Sequence, residues 1–313
     1  MESIEDEISS LRSRVLDYNI GKYETFHDAL EGEMEECYLN IVFFGMFGSG
    51  KSALINSIHK ALDLNEEPAI IQTTGKDGTK TLETFVLPGI PVKLYDTRGF
   101  FAMDITEEGE LFRILFGIHR PGEDLCRDHV SAQLAVAAGP AAYRLEKRPL
   151  VEQMHVVFWV IQGVDIRFEK GKYKEIIKFV QEQLQSATIT VFTVITFDDK
   201  IQKRPNADDE RERLTSEAIE VTGGDKRKVF FIANPARGQD LDPFYKKSVL
   251  EMLEQALKCG ERSIRMRQTK RESPKKQARN SKSEVDGLKF PVPVENDDEP
   301  PLTALTYKHS YDI

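Results

Sequence analysis

An apolar, β-branched run, Tyr38–Phe44 (YLNIVFF), leads straight into Gly45-Met46-Phe47-Gly48-Ser49-Gly50-Lys51-Ser52, and a helical pattern, Ser52–Leu62, follows without a break. The eight residues fit G-x-x-x-x-G-K-[ST] at every fixed position and stand at a strand-to-helix junction, which is where that pattern has its meaning. Glycines let backbone N–H groups turn inward onto phosphate oxygens with no Cβ in the way. The helix that follows points its positive end at the same anion. Gly45, Gly48, Ser49, Gly50, Lys51, Ser52 and Ala53 are therefore assigned to nucleotide phosphates. Lys51 reaches the β and γ phosphates as the fixed charge of the site, and Ser52 offers its hydroxyl to Mg²⁺. Such a junction implies binding of a nucleoside triphosphate or diphosphate.

The rest of the centre agrees with this junction. Apolar runs at Val92–Tyr95, His155–Ile161, Thr188–Ile195 and Val229–Ile232 read as strands, and Tyr173–Gln185 and Asp208–Val221 carry helical patterns. Continuous apolar strands joined by helices predict a mainly parallel sheet covered on both faces. Thr81–Leu87 alternates and is separated from Val92 by a Pro-bounded turn, so those two are predicted to pair antiparallel. The fold class is α/β, a P-loop NTPase with a doubly wound, mainly parallel sheet and helices on both faces.

Charge divides the 313 residues. Residues 1–36 carry −8, residues 261–282 carry +7 and residues 283–313 carry −5, which leaves 37–260 near neutral within a net charge of −9. The expected organisation is an acidic helical segment at 1–36, a nucleotide-binding domain at 37–260 and a disordered charged tail at 261–313. Ile4, Ile8, Leu11 and Val15 lie on one helical face, expected to dock on the chain's own domain. The net charge does not favour nucleic acid as a partner. Three widely spaced cysteines, an acidic N-terminus and no long apolar run point to a cytoplasmic protein without a transmembrane segment.

Two later loops narrow the nucleotide. Forty-four residues after Ser52, a strand ends in Asp96-Thr97-Arg98-Gly99. Asp96 is suited to hold a Mg²⁺-bound water, and Gly99 brings a backbone N–H to the γ-phosphate. D-x-x-G at this distance is the GTPase pattern. Thr196-Phe197-Asp198-Asp199 then resembles [NT]-K-x-D, with Thr196 first, Asp199 in the guanine-reading place and Phe197 where Lys is expected. A carboxylate accepts two hydrogen bonds from the N1 and N2 donors of guanine, which adenine cannot supply. An acidic pair that merely caps a turn is the alternative. Ala233-Asn234-Pro235 stands where GTPases touch the guanine edge, which makes Asn234 a further candidate. A switch threonine, serving metal and catalysis, is expected at Thr79, with Thr74 second and Thr73 third.

With these residues in order, the chain resembles the interferon-induced protein 44 family of GTPase-like proteins. The likeness runs through the phosphate loop, DTRGF, Leu115-Phe116-Gly117-Ile118-His119-Arg120-Pro121, HVVFWVIQGVD and TFDD, and covers roughly residues 36–260. It implies GTP or GDP binding with Mg²⁺ in the cytoplasm, and a part in innate immune or antiviral responses. Phe197 departs from the pattern.

Catalysis is less well provided for. Phe100 follows D-x-x-G where small GTPases place a water-orienting Gln, and an apolar side chain cannot orient water. Arg98 and Arg120 are the candidates to steady transition-state charge. Hydrolysis on the order of 10⁻⁴ to 10⁻² s⁻¹ is expected without help. Three readings stand at this point: a nucleotide-switched GTPase that self-associates or recruits a protein effector, a GTP-binding scaffold without useful turnover, and an ATP-binding protein or kinase. The basic segment 262–282 is expected to fold back loosely on the acidic segments, against lipid binding or nuclear targeting as rivals.

Overall fold

The computed structural model describes residues 3–21, 37–64, 66–71, 81–102, 104–123, 148–169, 178, 182, 184, 187–222 and 224–286. The elements are α1 (Ile4–Leu16), β1 (Leu39–Gly45), α2 (Lys51–Ala61), β2 (Glu83–Val86), β3 (Val92–Asp96), α3 (Ile105–Leu115), β4 (Val156–Gln162), α4 (Ile166–Glu169), β5 (Thr190–Thr196), α5 (Asp198–Ile201), α6 (Ala207–Thr222), β6 (Val229–Ile232) and α7 (Pro243–Asp286). The chain divides into two units, Met1–Thr269 and Lys270–Ile313, and the site lies in the first.

One sheet of six strands runs in the order β2-β3-β1-β4-β5-β6. All neighbours are parallel except β2, which pairs antiparallel with β3 as the alternation at Thr81–Leu87 predicts. This is the expected α/β doubly wound arrangement of a P-loop protein. The strand order reverses about β1, the point at which sheets of this kind form a crevice at the carboxyl ends of their strands. Strand bounds fall within two residues of those expected from sequence. The helix expected at Tyr173–Gln185 lies almost wholly outside the described residues.

Side-chain alternation gives the sheet two apolar faces. Ile41, Phe43, Phe158, Val160 and Phe192 join α1, α2 and α7 in one core, while Val42, Phe44, Val157, Trp159 and Ile161 join α3 and α6 in the other. α1 docks on its own domain as expected: Ile8, Leu11 and Val15 are buried, and Arg14 pairs with Glu254 of α7. The last helix differs from expectation. It runs past residue 260 to Asp286, and Ile264 and Arg267 are buried. Charge had masked a continuing helix: Arg267 donates to Gln153 Oε1 at 3.0 Å, so a residue counted among the tail's cations is spent inside the domain. Among the described residues, no helix is long and apolar enough to cross a membrane.

His155 sits fully buried before β4, its Nδ1 accepting the Asn40 N–H at 2.8 Å while Nε2 lies 2.9 Å from the Leu150 carbonyl. Burial, then the charge of Arg267, lowers its pKa from 6.5 to about 3. The unfolded chain therefore takes up a proton below pH 6.5 that the folded chain refuses, so stability is complete above 6.5 and falls as pH drops towards 3. Between pH 7 and pH 5 the unmutated chain should lose about 2 kcal/mol more than His155→Gln in urea unfolding. Equal losses in both would contradict this account of His155.

Candidate functional site

The parallel register sets the site. Gly45, last residue of β1, faces Val160 of β4, and the chain then turns through Met46–Gly50 into α2. Gly45 has φ +154°, and a Cβ there would lie 2.2 Å from the Val160 carbonyl oxygen and 2.8 Å from Ser49 Oγ. A side chain has no room, which is why the pattern begins with glycine. Gly48 lies on the exposed turn, and Gly50 heads α2 without a side-chain cap. The first-turn N–H groups of Ser52 and Ala53 thus point at the crevice with no acceptor inside the helix. Lys51, 6% exposed, lays its ammonium 3.3 Å from both the Gly45 and Met46 carbonyl oxygens. The loop so combines a helix N-terminus, turned backbone and one buried cation, an anion cradle.

Oxygen donors stand beside it. Ser52 Oγ donates to Asp96 Oδ2 at 2.5 Å, joining α2 to the end of β3. Glu83 of β2 pairs directly with Asp96, and burial followed by the charge of Asp96 raises the Glu83 pKa. A hydroxyl and two neighbouring carboxylates form a donor set that suits a hard divalent cation, and it fits Mg²⁺.

The loop after β3 is fastened to the phosphate loop. Phe47 N–H donates to the Phe100 carbonyl at 2.8 Å, and Phe100 N–H donates to the Gly45 carbonyl at 3.1 Å. Thr97 Oγ1 donates to the Phe43 carbonyl at 2.7 Å. Gly99 packs so close that a Cβ would come 2.5 Å from Phe47 Cα. Phe100 is fully buried and stacks on Phe44 and Trp159, with centroids 5.7 and 6.0 Å away. Phe101, half-exposed, stacks on Phe47 at 5.4 Å. Glu107 of α3 accepts the N–H groups of Phe101 and Ala102, at 2.8 and 3.1 Å.

The loop after β5 borders the same crevice. Thr196 Oγ1 donates to the Ser49 carbonyl at 2.7 Å, tying this loop to the phosphate loop. Phe197 adopts a left-handed conformation, φ +61°, with the Lys200 ammonium 4.3 Å from its ring centroid. Asp198 turns inward and is fully buried, whereas Asp199 keeps a carboxylate that is 46% exposed, 3.9 Å from Lys203. Asn234 accepts from Ser57 Oγ at 2.8 Å, and its Nδ2 lies 3.4 Å from the Gly50 carbonyl, so its side chain braces α2 against this loop.

No family model and no curated protein matches the chain by sequence. Among solved structures, it is similar to Toc33 from Arabidopsis thaliana in complex with GDP and Mg²⁺, at 11% identity over 82% of this chain and 91% of that chain, with a TM-score of 0.44. It is also similar to a probable GTP-binding protein, EngB, at 16% identity over 71% and 98%, TM-score 0.38. A third is Era in complex with MgGDPNP and nucleotides 1506–1542 of 16S ribosomal RNA, at 16% identity over 64% and 52%, TM-score 0.36. Likenesses at this level assign neither ligand nor activity to the chain.

Contacts join the phosphate loop and the first turn of α2, Gly45, Gly48, Ser49, Gly50, Lys51, Ser52 and Ala53, to Asp96, Gly99, Thr196 and Asn234, while Asp199 lies beyond Thr196 on the next turn, 3.9 Å from Lys203. Thr73, Thr74 and Thr79 lie outside the described residues. Arg98 follows β3 within the fastened loop. Arg120 is elsewhere: it lines a cavity of about 570 Å³ with Cys37, Tyr38 and Lys93, beside the start of β1, at the opposite edge of the sheet. Its proximity in sequence to DTRGF was misleading, because α3 carries the chain away between them. Glu107 and Glu83 were not singled out in the sequence, where a buried acid of this kind shows no local pattern, and Asp198 stood there only as the neighbour of Asp199 in an acidic pair.

The two neighbouring aspartates should behave oppositely. Asp198→Ala removes the acceptor from Tyr245 and the partner of Arg211, and should cost about 3 kcal/mol of stability in urea unfolding. Asp199→Asn, at the surface, should stay within about 0.5 kcal/mol of the unmutated chain. The reverse order of losses would show that the loop is turned the other way.

Proposed function

We propose that this chain is a guanine-nucleotide-binding, GTPase-like protein that takes GTP or GDP with Mg²⁺ and turns GTP over slowly. The single observation that carries the reading is the phosphate loop joined to Asp96 through Ser52 and to the loop after β5 through the Thr196–Ser49 bond. Lys51 and the first-turn N–H groups of α2 hold the β and γ phosphates. Ser52 and Asp96, with Thr79, hold the metal, which when bound neutralises charge on the phosphates. Asp199 accepts from guanine N1 and N2, and the Phe197 ring packs where a lysine stem lies in the usual pattern. The Phe197 exchange leaves the preference for GTP over ATP resting on Asp199.

Burial of Phe100 favours a second reading beside the first, a GTP-binding scaffold without useful turnover. No water-orienting side chain follows Gly99, and Phe101 presents only a ring. Self-association or a protein effector would then supply the missing group. The finer reading, a cytoplasmic protein of an innate antiviral response, is supported by the resemblance to the interferon-induced protein 44 family alone.

Lys51→Ala should abolish binding of GTP and GDP in calorimetric titration; affinity kept within a few-fold would remove this loop as the site. Asp199→Asn should weaken GTP by at least about tenfold, and xanthosine triphosphate, an acceptor where guanine has a donor, should recover part of the loss. Single-turnover hydrolysis separates the two readings. A rate on the order of 10⁻⁴ to 10⁻² s⁻¹ supports slow turnover, and no product above the uncatalysed background supports the scaffold.

A further inference from the structure

The base-facing loop is fixed at two ends, and the second anchor has no place in the nucleotide motifs. Asp198 Oδ2 accepts from Tyr245 Oη at 2.9 Å and from Gln202 Nε2 at 2.9 Å, with Arg211 Nη1 3.5 Å away. Gln202 Nε2 also reaches Tyr245 Oη at 3.2 Å, which closes the group. Tyr245 lies in the first turn of α7, 8% exposed, and Arg211 comes from α6 with its guanidinium 4.5 Å over the Phe231 ring of β6. Gln202 one turn on, Arg211 of α6 and the distant Tyr245 of α7 therefore grip one fully buried carboxylate. The burial of Tyr245, and then its bond to Asp198, raise the phenol pKa, so the hydroxyl stays a donor.

The gripped residue is one step before Asp199. Thr196 is held to the phosphate loop on one side, Asp198 to α6 and α7 on the other, and left-handed Phe197 spans the gap. With Thr196 and Asp198 fixed, the backbone that carries Asp199 is held in place at the first turn of α5. Two hydrogen bonds to one base edge demand a carboxylate placed to within a few tenths of an ångström.

We propose that Tyr245 is a positioning and specificity-determining residue: by holding Asp198 it aims Asp199 at the base, so that guanine selectivity depends on the start of α7. This rests on the guanine reading above. Tyr245 touches no nucleotide in this account, and its loss should leave phosphate binding intact.

The test compares GTP, ATP and Mg²⁺ tripolyphosphate, a base-free probe of the phosphate loop, by calorimetry on the full chain. Tyr245→Phe keeps the ring and removes the hydroxyl. It should weaken GTP about tenfold and leave tripolyphosphate within about twofold. Gln202→Ala, an exposed position that tolerates change, should move the same ratio in the same direction by about threefold, and serves should Tyr245→Phe not fold. Equal weakening of GTP and tripolyphosphate would make Tyr245 structural only and overturn the proposal. So would an unchanged preference for GTP in both variants, with the guanine reading left standing. An unmutated chain that binds ATP as well as GTP would overturn the guanine reading itself, and this inference with it.

Discussion

Two backbone hydrogen bonds, from Phe47 to the Phe100 carbonyl and from Phe100 to the Gly45 carbonyl, hold the loop after β3 against the loop after β1. They form because neither Gly45 nor Gly99 has a Cβ to keep the chains apart. Behind them, the parallel pairing of β1 with both β3 and β4 delivers Gly45, Asp96 and Gln162 to one edge of the sheet. Once the two loops are joined, Ser52 falls beside Asp96 and the phosphate loop is braced by Thr196 from the far side. The crevice is thus assembled from strand ends, and each strand is anchored in a core on both faces.

The same joint bears on turnover. Phe100 is held by Phe44 and Trp159 in the core, so the residue after D-x-x-G serves packing instead of water. Glu107 then fixes the two following N–H groups. A loop with this many attachments is suited to holding a ligand steadily and less suited to large excursions. That balance is why slow turnover and a scaffold are close alternatives for this chain.

Much of this was legible in the sequence. The phosphate loop could be read because its glycines, Lys51 and Ser52 are contiguous and abut a strand, so local spacing carries the whole geometry. DTRG followed for the same reason, and the antiparallel β2 was visible in alternation. What was not legible is long-range. Asp198 and Asp199 are adjacent acids, and only the packing of Tyr245 and Arg211 decides which of them turns inward. Arg120 looked close to DTRGF and stands at the opposite edge, because α3 intervenes. Net charge concealed the continuation of α7, whose Ile264 and Arg267 are core residues within a basic stretch.

The central claim, that the crevice selects guanine through one outward carboxylate, is tested most directly by the unmutated protein. Titration with GTP and with ATP, each with Mg²⁺ in excess, should give an affinity for GTP higher by roughly a hundredfold or more, since adenine leaves the Asp199 carboxylate without its two donors. Equal affinities for the two nucleotides would contradict the account.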